Sequence, residues 1–117
     1  MDQANPNVLV IMADQLKANA THLQGSSFCQ TPALARLAAE GVLYENAFTP
    51  HALCVPARVS LWSSQYSRTH GARRNEILMP EGQRHAFRLW REAGYHTGLI
   101  GKNHCFDQQK DLDLFDV

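Results

Sequence analysis

Asn7-Val8-Leu9-Val10-Ile11-Met12-Ala13-Asp14-Gln15 contains an unbroken apolar run, Val8 to Ala13, rich in branched side chains and ending at a carboxylate. Such a run is short for a buried helix. It reads as a strand covered on both faces, which favours a parallel sheet. Asp14 falls where that strand should end.

Outward from this stretch the local signals alternate. Thr31-Pro32 opens a helix, with Thr31 suited to the cap and Pro32 to the first helical position. Leu34, Leu37 and Ala38 recur at helical spacing and Gly41 can end the element. Val42 to Phe48 reads as a second strand. Pro50 to Pro56 interrupts regular structure, and a helix is expected from near Pro56 to about Ser64, followed by a loop rich in Arg, Asn and Gly. Gln83 to Ala93 reads as another helix, with Phe87 and Trp90 one turn apart and Gly94 as its stop. Thr97 to Ile100 is a short strand ending at Gly101-Lys102. The order strand, helix, strand, helix, helix, strand is an α/β pattern.

The 117 residues fit one domain. Eleven basic residues balance eleven acidic ones, so neither nucleic acid nor an anionic membrane is an expected partner. Arg73-Arg74 is too short for a basic patch. No apolar run approaches the roughly 20 residues that cross a bilayer. The polar start MDQANPN lacks a basic leader, so a cytoplasmic location is expected. Cys29, Cys54 and Cys105 are odd in number and widely spaced, which argues against a zinc ribbon, a redox pair or a disulfide framework. Cys29 reads as a loop residue and Cys105 as packing. Trp62, Phe87 and Trp90 read as core, and His22, His85 and His96 as surface or satisfied core histidines.

In α/β sheets, sites collect at the carboxyl ends of strands. Three clusters could carry chemistry. Cys54 lies at a helix start before Pro56, where free N–H groups and the helix dipole favour an anion. Arg58 follows one turn later on the same face and can hold tetrahedral oxyanions through paired hydrogen bonds. The bland alternative is a buried cysteine beside a surface arginine. Asp14-Gln15 offers hard oxygen ligands for calcium or magnesium, or merely a turn. Gly101-Lys102-Asn103-His104 offers a point charge and a group that exchanges protons near neutrality, or an exposed lysine and histidine.

The pattern C-x-P-x-R within CVPARVSLWSSQYSRTHG resembles the signature of the sulfatase family. NVLVIMADQ resembles that family's opening strand, TPALARLAAEGVLYENAF its following helix, and AGYHTGLIGKNH the stretch that delivers a lysine and a histidine. The matches stand in the family's order from Asn7 to about Phe106. Ser64 stands where many members have glycine, so an altered helix end is expected. Asp14-Gln15, in place of two aspartates, and Asn103, in place of tryptophan, resemble choline-sulfatase-like proteins and phosphonate monoester hydrolases.

The resemblance implies an alkaline-phosphatase-like, mostly parallel sheet flanked by helices. Residues 1–117 would form the incomplete N-terminal portion of that catalytic domain, inactive alone. It implies that a formylglycine-generating maturation enzyme oxidises Cys54, and that the hydrated aldehyde attacks a small-molecule sulfate ester, expels the alcohol and then releases sulfate. Asp14, Gln15 and residue 54 would hold a divalent metal: calcium, with magnesium or manganese as alternatives. Arg58 would orient the nucleophile, Lys102 neutralise the transferring group, and His104 bond the nucleophile and move protons. His70 and Asn75 match positions that can face substrate. Phosphate or phosphonate esters are alternative substrates. A thiol enzyme using Cys54, or a non-catalytic anion-binding relative, are readings from other classes. The sequence leaves the oligomeric state open.

Overall fold

A computed structural model describes residues 5–107 and 109–117. Residues 1–4, part of the stretch read above as lacking a leader, lie outside the described residues. The chain divides into two compact units, Met1–Glu45 and Asn46–Val117.

In the first unit, α1 spans Pro32–Glu40, with Pro32 in the first turn and Gly41 after the last, as Thr31-Pro32 and Gly41 predict. Thr31 occupies the cap position, but its side chain does not cap the helix. The hydroxyl bonds His22 Nδ1 at 2.6 Å instead, and the Thr31 N–H donates to the same nitrogen at 3.2 Å. With the N–H fixing Nδ1 as acceptor, the hydroxyl must donate. His22 thus closes the loop to Thr31; a 3₁₀ turn at His22–Gln24 lies within it and another, Ala18–Ala20, precedes it.

In the second unit, α2 (Cys54–Ser63) begins two residues before Pro56, so the proline is the third helical residue and Cys54 the first. Ser64 ends the helix with φ 56°, the left-handed conformation that favours glycine. The altered helix end expected at Ser64 is therefore an L-residue held in a glycine-type conformation. A short helix that the sequence reading missed, α3 (Ser67–His70), follows and stops at Gly71. Helix α4 (Ala86–Glu92) lies within the expected 83–93.

The core gathers between α2, α4 and the chain's last third. Val55 and Val59, one turn apart on α2, are fully buried with Ala72 and Cys105, and Phe87 and Phe106 are buried beside them. Phe87 is the hub, its ring centroid 4.7 Å from Trp62, 5.2 Å from Trp90, 4.9 Å from Phe115 and 5.7 Å from Phe106. The expected core roles of Trp62, Phe87 and Trp90 hold.

The expected strands do not form among the described residues. Val8 to Ala13 was expected to be buried on both faces, yet Leu9 and Ile11 are 83 % and 84 % exposed. Val42 and Tyr44 are exposed as well. The physical reason is that a strand, unlike a helix, closes no hydrogen bonds within itself and exists only against a neighbour. The third expected strand finds one in part. The Asp116 N–H donates to the Thr97 carbonyl at 2.7 Å and the Leu99 N–H to the Val117 carbonyl at 3.0 Å, so 97–99 and 116–117 advance side by side in the same direction. No helix among the described residues is long and apolar enough to cross a membrane.

His85 precedes α4 and is 3 % exposed, its ring 5.1 Å from Phe106. Arg88 Nε donates to its Nε2 at 3.3 Å, while Nδ1 is buried without a partner among the described residues. Burial first, and the Arg88 charge second, lower its pKa from 6.5 to about 4. The folded state thus holds a neutral ring where the unfolded chain binds a proton. This contribution to stability is complete above pH 6.5 and is lost as the pH falls from 6.5 toward about 4. Urea unfolding across that window should show stability falling more steeply in the wild type than in His85→Phe; parallel slopes would contradict this assignment.

Candidate active site

The site is built around the N-terminus of α2. Cys54 is half-buried with a free thiol. Leu53 takes the cap position in an extended conformation and lacks a capping side chain, so the first N–H groups of the helix need partners elsewhere. Two side chains supply them. His51 Nδ1 accepts the Leu53 N–H at 3.1 Å, and Thr49 Oγ1 donates to the His51 carbonyl at 2.8 Å, fixing the approach to the helix. Asn75, twenty residues further on, accepts the Val55 N–H through Oδ1 at 3.2 Å. Pro56, next along, has no N–H to satisfy. Asn75 is therefore a remote cap beside Cys54.

Arg58 lies one turn after Cys54 and is 9 % exposed. Its Nη1 donates to the Lys102 carbonyl at 2.7 Å, across 44 residues. A buried guanidinium is costly unless its donors are met, so this bond draws the Gly101–His104 segment onto α2. Two of the three predicted clusters, Cys54/Arg58 and Lys102/His104, are joined in this way. The Lys102 and His104 side chains are exposed. His104 has φ 58°, a left-handed conformation, and Gly101 also has positive φ at 94°.

Cys105, next to His104, is fully buried, and burial pushes its thiol up to about 12 despite the opposing Arg58 charge. It stays protonated and packs in the core, as expected. Cys29 is exposed in its loop.

His70 is 5 % exposed. Its Nδ1 accepts the Ala72 N–H at 3.1 Å, and Nε2 lies 2.9 Å from Ser60 Oγ. A backbone N–H can only donate, so Nδ1 is the acceptor and the proton sits on Nε2, facing Ser60. In that state the imidazole cannot draw the serine proton, and the pair acts as a strut between α2 and α3. Burial, with nearby His51 second, lowers the His70 pKa and keeps the ring neutral.

Asp14 and Gln15 belong to the first unit, at a bend where Gln15 has φ 53°. A carboxylate and an amide carbonyl are suitable oxygens for calcium or magnesium, but calcium takes six to eight. No group of three or more His, Cys, Asp or Glu side chains among the described residues is placed to hold a metal. The donors fit in kind, and by themselves do not complete a metal centre. Sequence reasoning missed His51 and the Ser60–His70 pair; a histidine three residues before Cys54 was the available signal.

The sulfatase family model matches residues 6–112. An arylsulfatase of Clostridium perfringens is 31 % identical over 105 residues, covering 89 % of this chain and 22 % of the relative. A choline-sulfatase of Rhizobium meliloti is 35 % identical over 108 residues, covering 89 % and 20 %. The solved structure of BT4656 in complex with its substrate D-glucosamine-2-N,6-O-disulfate superposes with a TM-score of 0.87 at 29 % identity, covering 97 % of this chain and 22 % of that one. The chain thus spans about a fifth of the length of the relatives it matches.

Removing the remote cap should be measurable. Asn75→Ala is expected to lower stability by about 0.5–2 kcal/mol in chemical denaturation, whereas Asn75→Asp, which keeps the acceptor, should stay close to wild type. Equal losses in both variants would show that the Val55 bond is not what Asn75 contributes.

Proposed function

Because the chain belongs to the sulfatase family, matching its model over residues 6–112, we propose that it is the N-terminal portion of a catalytic domain that hydrolyses small-molecule sulfate esters. The observation that carries this reading is the Arg58–Lys102 hydrogen bond, which draws the segment bearing Lys102 and His104 onto the helix that begins at Cys54. The matches to a choline-sulfatase and to a structure holding a sulfated-sugar substrate support the substrate class.

Cys54 is the residue to be oxidised to formylglycine by a maturation enzyme, and the modified side chain supplies the nucleophile. At the first residue of α2 it stands in the positive field of the helix N-terminus, which favours the anionic state a nucleophile needs. Arg58 Nη1 donates to the Lys102 carbonyl. Its planar fork suits a tetrahedral oxyanion better than a point charge does. Lys102 adds that point charge, and His104 offers an imidazole to hydrogen-bond the nucleophile and pass its proton. A divalent metal, calcium before magnesium or manganese, would supply Lewis acidity when bound; Asp14 and Gln15 contribute oxygens to it and further ligands come from the remainder of the domain.

The exposed apolar segments fit the same reading. Val8 to Met12 and Val42 to Tyr44 carry strand-type sequence without a neighbour, which supports strands of a mostly parallel sheet whose partners lie in the remaining four-fifths of a relative's length. Residues 1–117 alone would then be inactive.

Mass spectrometry of the Cys54 peptide from the full-length protein in its own host should reveal the aldehyde. That protein should release sulfate from an aryl sulfate, Cys54→Ala should reduce turnover by roughly a thousandfold or more, and chelation of divalent metal should also suppress it. An unmodified thiol together with unchanged turnover in Cys54→Ala would remove the formylglycine reading.

A further inference from the structure

The segment after Lys102 holds an L-residue where the backbone favours glycine. His104 is exposed and has φ 58°. Left-handed residues other than glycine are uncommon, histidine being enriched among them with asparagine and aspartate, and they persist when their surroundings over-determine them. Here one side chain bridges the turn. Asn103 Oδ1 accepts the Phe106 N–H at 2.9 Å and the Cys105 N–H at 3.2 Å, and Asn103 Nδ2 donates to the Phe106 carbonyl at 3.1 Å. All three bonds reach over His104 to the residues beyond it.

Those residues are themselves immobilised. Cys105 is fully buried, Phe106 is 3 % exposed, and the Cys105 carbonyl accepts the Met79 N–H at 2.7 Å. On the other side Arg58 holds the Lys102 carbonyl at 2.7 Å. The chain is pinned at 102 and at 105–106, and the Asn103 amide spans the gap. Without it two buried N–H groups lose their acceptor, and the tight turn through His104 loses its closure.

We propose that Asn103 is a positioning residue: its side-chain amide imposes the left-handed turn that sets where His104 presents its imidazole. Its effect on turnover rests on the sulfate-ester reading above; its effect on the backbone does not. Asn103 acts only through His104 and the turn, so its loss should appear in kcat far more than in KM.

The test uses the full-length protein, with crystal structures and steady-state kinetics on 4-nitrophenyl sulfate for wild type, Asn103→Ala and Asn103→Asp. Aspartate keeps the acceptor for both N–H groups. In Asn103→Ala the φ of His104 should become negative and kcat fall by about 30- to 100-fold with KM within about threefold. Asn103→Asp should keep the positive φ and recover kcat to within about fivefold. Should Asn103→Ala not fold, Asn103→Gln, which carries the same amide one methylene further out, is expected to show the same backbone change and the same loss. A left-handed His104 retained in Asn103→Ala, or an Asn103→Asp enzyme as impaired as Asn103→Ala, overturns the proposal. If the wild type releases no sulfate, the sulfate-ester reading falls, and the φ of His104 in the variants alone decides the role of Asn103.

Discussion

A guanidinium cannot shed its proton inside a protein, so burying one obliges the fold to bring acceptors to it. Arg58 imposes that obligation on the second unit. It sits on the helix whose other side chains, Val55 and Val59, are fully buried in the core, and it reaches the Lys102 carbonyl at 2.7 Å. Three and four residues after Lys102, Cys105 and Phe106 join the same core cluster. The contact between helix start and distant loop is therefore made twice, once by apolar packing and once by a charged hydrogen bond. The apolar layer supplies most of the stabilisation. The hydrogen bond supplies register, because a carbonyl must face a particular nitrogen whereas packed methyl groups tolerate sliding.

Around this tie the irregular backbone is held by side chains acting on main-chain groups. His51 takes the Leu53 N–H, Asn75 the Val55 N–H, His70 the Ala72 N–H, and Asn103 those of Cys105 and Phe106. Each such bond contributes about 0.5–1.5 kcal/mol, so none decides whether the unit folds. Together they decide where the backbone runs in segments that have no regular ladder to follow. Precision at the candidate site thus comes from polar groups surrounding it, while cohesion comes from the aromatic cluster around Phe87.

What could be read from the sequence follows the same division. Helices announce themselves through local chemistry: Pro32 and Gly41 bound α1, and Phe87 with Trp90 marked α4. Cys54 and Arg58 were legible because helical spacing puts them on one face and C-x-P-x-R resembles the sulfatase signature. The strands were not realised, since apolar runs such as Val8 to Ala13 reveal a demand for burial without naming the neighbour that meets it. Helix α3 was missed because its four residues, Ser67–His70, carry no apolar period. The roles of Asn75 and His51 depend on contacts between segments, and no spacing rule reports those. His85 escaped for the opposite reason: an isolated histidine looks alike at the surface and in a core.

Three residues other than glycine have positive φ among those described: Gln15, Ser64 and His104. Each costs roughly 1–3 kcal/mol relative to a relaxed backbone, and glycine would remove that cost. Ser64 ends a helix, a position where glycine is the usual solution and nothing in the structure requires a side chain. Gln15 and His104 differ in carrying an amide and an imidazole, side chains with hydrogen-bonding capacity at both ends. In the case of His104 the structure also contains the device that makes the conformation tolerable, the three-bond amide of its neighbour. Dedicated support from a neighbouring side chain distinguishes the left-handed turn at His104 from the helix end at Ser64.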